Sequence, residues 1–310
     1  CRRKAERNRK RMLYISREYV QDSLDKSVAP AAVCDSGETV VFQTRDCYDD
    51  SVTCGERPLG DRRDALGNPA TGPLYIHGAR PGDILKVEIL KIELRSWGVM
   101  CSSFSYGAFA GRFPDPKAVI FEIIDNKIRF DEKLTLDCCP MIGVIGTAPG
   151  GEGIGTETPG GHGGNMDCRK IGEGSVLYLP VDVPGALLSM GDLHALMGDG
   201  EVFICGLETA GEVTVRVSVL KDCCMPAPFL VTEDKVMTIQ SADTTDEAGK
   251  KAVLLMEEYI RETAGIDELK AGMLMSLAAD MCICQIVDPQ MTVRVEFPRQ
   301  ILEKYGWKPV

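Results

Sequence analysis

Short runs of β-branched residues, each closed off by glycine or proline, set the first limit on what this chain can fold into. In VTVRVSVL, Val213, Val215, Val217 and Val219 alternate with Thr214, Arg216 and Ser218. A period of two puts the valines on one face of a strand and the polar side chains on the other. KVEILKIEL, within Ile84–Leu94, alternates in the same way. Further strands are expected at Thr39–Thr44, Ala118–Ile124, Met141–Thr147, Ser175–Val183, Glu201–Leu207, Glu212–Leu220, Phe229–Thr232, Lys235–Gln240 and Thr292–Pro298. With 32 glycines and 17 prolines in 310 residues, turns are available throughout. The expectation is a mainly β chain with α+β elements: a β-sandwich or barrel-like body and a smaller helix-bearing C-terminal part.

Two segments read as helices. Asp246–Thr263 carries an apolar stripe of Ala252, Leu255, Met256, Tyr259 and Ile260, and Gly265 closes it. Asp267–Met281 sets Leu269, Met273, Leu277 and Met281 on one seam, expected in the core. The cysteine- and proline-bearing segment Lys221–Pro228 is the expected boundary. It divides the chain into an N-terminal tail over 1–20, partly helical across Arg2–Tyr19, a β-rich body over 21–222 that carries the site, and a C-terminal part over 223–310 that returns a strand to the body. Asn68–Asp83 reads as a turn-rich connector, with His77 structural or peripheral.

A net charge of −11 argues against nucleic acid or an anionic membrane surface as partner. No run of eighteen apolar residues is present, so no spanning helix is expected. The opening CRRKAERNRKR holds seven basic side chains but no apolar segment follows, which reads as a tail rather than a secretory signal. The thirteen cysteines, among them the adjacent pairs Cys138–Cys139 and Cys223–Cys224, lack zinc-knuckle or disulfide-framework spacing. Reduced thiols in a cytoplasmic protein are expected. A cysteine nucleophile beside His162 or His194 stays open as the lesser alternative.

Chemistry concentrates between Met141 and Asp222. Two of only three histidines lie there, each among acids and glycines. GGHGGNMD offers His162, Asn165 and Asp167. Gly163 and Gly164 permit close backbone approach, and Asn165 suits a carbonyl substrate. GDLHALMGDGE offers Asp192 and His194, two apart and therefore on one strand face, within reach of one ion. Glu201 is expected to begin the next strand, Asp199 to shape a turn, and Glu208 to end a strand. Asp46, Asp49 and Asp50 after TVVFQT form either a solvated turn or a contribution to the same site. The plainer reading is that both histidines only cap glycine turns. No P-loop ending and no G-x-S-x-G elbow is present, so imidazoles and carboxylates holding a divalent metal make the expected site.

VFQTRDCYDD, GNPATGPLYIHGARPGDILKVEIL, PMIGVIGTAPG, TPGGHGGNMD, SVLYLPVDVPGALLSMGDLHALMGDGEV and VDPQMTVRVEFPR resemble, in order, the acetamidase/formamidase family across most of residues 38–298. The resemblance implies a β-rich hydrolase, commonly oligomeric, that splits small linear amides of the formamide and acetamide class into carboxylate and ammonia. It implies a divalent metal, zinc first, on Asp46, His162, Asp167 and His194, with Asp192 also in reach. Glu201, Asp192 and Glu208 are the expected catalytic carboxylates, with Glu201 first as base, and Asn165, Gly163 and Gly164 are expected to contact the substrate. The chain departs from the family pattern over 97–113, WGVMCSSFSYGAFAGRF, where relatives carry a proline-glycine-rich loop. That leaves the preferred amide open. Alternatives are a hydrolase of another small amide, cyclic amide or ester, or an inactive binding member of the fold.

Overall fold

The computed structural model describes residues 12–53, 57–58, 66–103, 105–115 and 117–310. The basic run of the first eleven residues and Cys54 lie outside them. Two large open sheets dominate the described residues. The first, nine-stranded, runs in the order Leu13–Ile15, Thr39–Thr44, Gly211–Leu220, Ile84–Leu94, Val176–Pro180, Phe229–Val231, Lys235–Ala242, Met291–Pro298 and Asp280–Gln285. The second, twelve-stranded, contains Trp97–Cys101, Glu208–Thr209, Leu188–His194, Met141–Gly146 and Gly163–Asn165 in that order, and Ala70–Ile76 also pairs with Leu188–His194.

Alternation explains the sandwich. Val213, Val215 and Val217 are fully buried while Arg216 between them is exposed. With Leu85, Val87 and Ile89 they meet Leu74, Ile76, Ile142, Ile145, Leu188, Met190 and Leu193 of the other sheet in one continuous apolar cluster. Each such side chain contributes about 1.5–3 kcal/mol on leaving water, so the facing sheets are held by the same period-two pattern that defines their strands.

The first sheet continues without a break past residue 222. Phe229–Val231 pairs with Val176–Pro180, and three more strands follow outward. The C-terminal part therefore adds four strands to this sheet: the three expected there and Asp280–Gln285, whose first residues were read as the end of a helix. Its helices cover the outer face of that half. Helix α1 (Thr245–Ala264) buries Ala252, Met256, Tyr259 and Ile260 against Phe229, Val236, Val295 and Phe297. The Thr244 hydroxyl accepts from the Glu247 N–H at its start, and Gly265 closes it at φ 63°.

Helix α2 (Glu268–Ala278) turns the opposite face inward from the one its sequence seam indicated. Ala271 and Met275 are buried, whereas Leu269, Met273 and Leu277 are 68%, 57% and 85% exposed. Met281 has left the helix for the edge strand Asp280–Gln285. Leu13–Ile15 is a strand paired in parallel with Thr39–Thr44, not a helix. Ala70–Ile76 is a nearly wholly buried strand inside the segment read as a connector. No helix among the described residues is long and apolar enough to cross a membrane, and the eleven described cysteines are free thiols.

Candidate active site

The strand Leu188–His194, buried along its whole length, carries the centre of the site. It runs antiparallel to Met141–Gly146, and His194 also faces Glu208 in register. Cross-strand partners point to the same face, so the imidazole Nε2 of His194 lies 3.1 Å from Glu208 Oε1. Asp192, two residues back, brings Oδ1 within 3.4 Å of the same nitrogen, and Asp167 brings Oδ1 within 3.7 Å. Ligand atoms of Asp167, His194 and Glu201 all lie within 4.8 Å of one another, as do those of Cys47, Asp192 and Glu208.

Backbone strain and missing side chains make this convergence possible. Asp167, Asp192 and Glu201 sit in left-handed backbone, at φ 41°, 55° and 46°. Such conformations cost roughly 1–3 kcal/mol and cluster at functional sites. Gly143 lies opposite Asp192, and a Cβ there would stand 2.5 Å from Asp167 Oδ1 and from Asp192 Oδ2. A Cβ on Gly206 would meet the His194 ring at 2.6 Å. The Gly206 N–H donates to Glu201 Oε1 at 3.1 Å and fixes that carboxylate.

The polar atoms are buried and largely unmatched. Asp167 Oδ1, Asp192 Oδ1, Glu201 Oε2, Glu208 Oε2 and both ring nitrogens of His194 have no hydrogen-bond partner; the short His194–carboxylate approaches lack hydrogen-bond alignment. No lysine or arginine among the described residues pairs with any of these acids. Burial pushes the Glu208 carboxyl up to about 8, and it pushes Asp167 and Glu201 well above the usual carboxylate range, helped by neighbouring acids. Burial disfavours a charged His194, but Glu208 and Asp192 outweigh it and raise the imidazole well above its ordinary value. Burial also opposes ionisation of Asp192; the charge of His194, with the hydrogen bond from Asn68, prevails and lowers it. A cluster of several buried acids, one imidazole and unused lone pairs has the donor set of a divalent cation site.

The other expected residues are placed differently. His162 precedes Gly163, which pairs with Gly146, while His194 pairs with Met141 at the far end of the same strand. Five residues separate those positions, about 17 Å at about 3.4 Å per residue. Burial drops the His162 imidazole to about 4, and the one charge acting on it is Asp182, not the acids around His194. The structure thus does not gather His162 into the cluster. Asp46 is likewise committed elsewhere. It accepts from Arg95 Nη2 at 2.5 Å and from the Tyr48 and Asp50 N–H groups, and belongs to neither set of converging ligand atoms. Gly163 and Gly164 use their freedom for close packing against Ile145 O and Thr158 O. Asn165 is turned to Asp288, donating to Oδ2 at 2.9 Å. Glu201 opens no strand; it sits in a turn after Asp199, which receives the Arg294 fork. His77 is exposed and edge-on to Tyr75.

Three residues of the cluster escaped sequence reading. Asp288 shares a hydrogen bond with Asp167, Asn68 Nδ2 donates to Asp192 Oδ2 at 3.2 Å, and Cys47 stands with Asp192 and Glu208. All three lie inside stretches that carry the family resemblance, in VDPQ, GNPATG and DCYDD, and that was the available signal.

Comparison with known proteins identifies the family. The acetamidase/formamidase family profile matches residues 9–152 and 148–304. An acetamidase structure from Bacillus halodurans superposes with a TM-score of 0.92 at 44% identity, covering 95% of this chain and 100% of that one. A formamidase from Methylophilus methylotrophus is 27% identical over 75% of this chain and 76% of its own length. An acetamidase from Mycolicibacterium smegmatis is 40% identical over 49% of this chain and 53% of its own. With the family profile matching nearly the whole described chain and the fold superposing on an acetamidase over 95% of it, the chain belongs to the acetamidase/formamidase family.

Proposed function

We propose that the protein hydrolyses the C–N bond of small linear amides to carboxylate and ammonia, and that His194, Asp167 and Glu201 hold a divalent ion for it. The observation that carries the metal is the buried, unpartnered set Asp167 Oδ1, Asp192 Oδ1, Glu201 Oε2, Glu208 Oε2 and His194, with no lysine or arginine among the described residues to balance the acids. One nitrogen and several carboxylate oxygens suit zinc or a similar borderline ion. Such an ion, when bound, supplies Lewis acidity toward water and the amide carbonyl. The chain's own residues supply the rest. Glu201 is anchored by Gly206, which suits a ligand. Glu208 keeps Oε2 free beside His194, so it is the carboxyl placed to take a proton and deliver it to the departing nitrogen. This shifts the base from Glu201, the sequence expectation, to Glu208. Asp192, oriented by Asn68, fixes the His194 ring.

The test is ammonia release from formamide and acetamide, with metal content, before and after chelation. Turnover in fully metal-free protein would end the metal reading. We further infer a homo-oligomer that covers the exposed Leu269, Met273 and Leu277 of α2 beside the edge strand Asp280–Gln285. Leu277→Lys should lower the sedimentation mass; an unchanged mass would remove this face from the interface. The free thiols suit a reducing, cytoplasmic setting.

A further inference from the structure

The converging ligand atoms fall into two sets that share no residue. Asp167, His194 and Glu201 form one, and Cys47, Asp192 and Glu208 form the other; in each, the ligand atoms lie within 4.8 Å of one another. The proposed reaction places its ion on the first set and draws on the second for the carboxyl of Glu208 and for Asp192 beside the His194 ring. Cys47, a half-buried free thiol, has no part in it.

The second set is held in place from several sides. Asn68 clamps two of its members at once: its backbone N–H donates to Cys47 O at 3.1 Å, and its Nδ2 donates to Asp192 Oδ2 at 3.2 Å. Asp46, next to Cys47, accepts from the Tyr48 and Asp50 N–H groups and from Arg95, which pins the loop that carries the thiol. Glu208 is fixed opposite His194 by strand pairing. Glu208 and Asp192 are the two charges that act most strongly on the Cys47 thiol. Two buried oxygens of the set, Asp192 Oδ1 and Glu208 Oε2, have no hydrogen-bond partner.

Charge and donor chemistry point the same way. A divalent ion on the first set balances Asp167 and Glu201. Asp192 and Glu208 are then left, two buried carboxylates with no lysine or arginine paired to them among the described residues. Buried charges are paired or coordinate metals. One sulfur and two carboxylate oxygens suit a soft or borderline cation such as zinc or cadmium, not magnesium or calcium. Ligands of a tetrahedral zinc, on bonds of about 2.0–2.3 Å, stand roughly 3.3–3.5 Å apart, so small side-chain rotations close this set on an ion.

We propose that Cys47, Asp192 and Glu208 form a second, inhibitory site for a thiol-seeking divalent cation, filled once such cations exceed one per chain. The inference rests on the reading of Glu208 as the base of the adjoining amidase site. On binding, the Cys47 S–H gives its proton to solvent and a sulfur–metal bond forms, with no electron transferred. A Glu208 carboxylate held by a cation no longer takes a proton from the reacting water. The first equivalent of metal therefore activates the protein and the next one silences it.

The experiment loads the protein with one equivalent of zinc, adds cadmium stepwise and compares the wild type with Cys47→Ser. Cadmium bound per chain is read by elemental analysis, and the thiolate-to-cadmium charge-transfer band by ultraviolet absorption. Acetamide turnover is taken relative to each protein's own cadmium-free rate. The remaining thiols are common to both proteins and cancel in the comparison. The expected result is one cadmium more in the wild type, a stronger band, and a loss of about tenfold or more in wild-type turnover, as for a disabled general base, at a cadmium concentration that spares Cys47→Ser. Equal cadmium content in the two proteins would overturn the site. Equal inhibition of both, or an extra wild-type cadmium with undiminished turnover, would overturn its inhibitory role and leave the amidase reading intact. If neither protein hydrolyses an amide, the amidase reading falls, and the site stands or falls on the cadmium difference alone. Cys47→Ala takes the place of Cys47→Ser if circular dichroism shows the latter unfolded.

Discussion

Arg294, 1% exposed, forks onto Asp199 with two hydrogen bonds of 2.8 Å and so ties the turn that presents Glu201 to the opposite sheet. The neighbouring Gly200 N–H donates to Cys284 O and completes the latch. Asp199 itself is 37% exposed, so water screens its side of the pair. Glu296 still accepts from Arg294 Nε at 2.8 Å, so Asp199→Ala should cost about 1.5 kcal/mol, at the low end for charged hydrogen bonds. Denaturant unfolding checks this, and a loss under 1 kcal/mol would show that the latch is dispensable.

Asp46→Asn separates anchor from ligand. Its carboxylate holds Arg95 and two backbone N–H groups. The variant should lose about 1.5–3 kcal/mol, the range for charged hydrogen bonds, while keeping a full complement of metal. A metal content halved or worse in folded protein would restore Asp46 as a ligand.

Gly143→Ala inserts a methyl 2.5 Å from two carboxylate oxygens of the cluster. Displacing catalytic groups by about 1 Å costs about a hundredfold in rate. We expect that loss or more in kcat/KM together with weakened metal retention. Wild-type turnover would mean that Asp167 and Asp192 are free to move without consequence.

Glu208→Gln and Glu201→Gln should part company. The first is expected to retain metal and lose about 10²–10⁴ in rate, as for a missing general base. The second should lose metal. Elemental analysis beside kcat distinguishes them, and the reverse pattern would exchange their roles.

The metal-free protein should be more stable in mild acid. Glu208 is held up to about 8 by burial, and Asp167, Glu201 and Asp288 are raised well above their ordinary values, also chiefly by burial. Their folded forms keep protons that the unfolded chain gives up near pH 4–4.5. This stabilisation is complete below that range and is lost as pH rises toward 8, by about 1.4 kcal/mol per pH unit for each net proton. Raised His194 adds to the trend and lowered Asp192 opposes it. Chelated protein should therefore melt higher at pH 5.5 than at pH 8, and added metal should shrink the gap because it binds deprotonated ligands. A melting temperature that climbs with pH in chelated protein would contradict the assignment.

How much of this the sequence disclosed follows from which faces are buried. Gly211–Leu220 and Ile84–Leu94 have a wet side, so their alternation shows. Leu188–His194 is buried on both sides and interrupted by Gly191, so the strand bearing His194 and Asp192 has no alternation to read. Ala70–Ile76 hides behind Gly72 and Pro73. EVFICGL alternates like a strand, yet Glu201 and Ile204 adopt φ 46° and 117°, which no strand permits. In α2 both faces carry apolar side chains, so period alone could not choose between Met275 and Met273. The site was legible in residue types, but His162 showed how misleading shared glycine-rich surroundings are when a whole strand separates two imidazoles. Asp288 arrives from a distant turn that only the folded chain brings beside Asp167.

The left-handed backbone at Asp167, Asp192 and Glu201 bears on how this protein should be engineered. At Glu201 glycine would adopt φ 46° without a side-chain penalty, whereas a long side chain there carries roughly 1–2 kcal/mol. A heat-resistance screen blind to turnover would reward Glu201→Gly, and its winners would be sturdier molecules emptied of chemistry. Any directed-evolution campaign on this scaffold has to score catalysis in every round, because its simplest route to robustness runs through the active site.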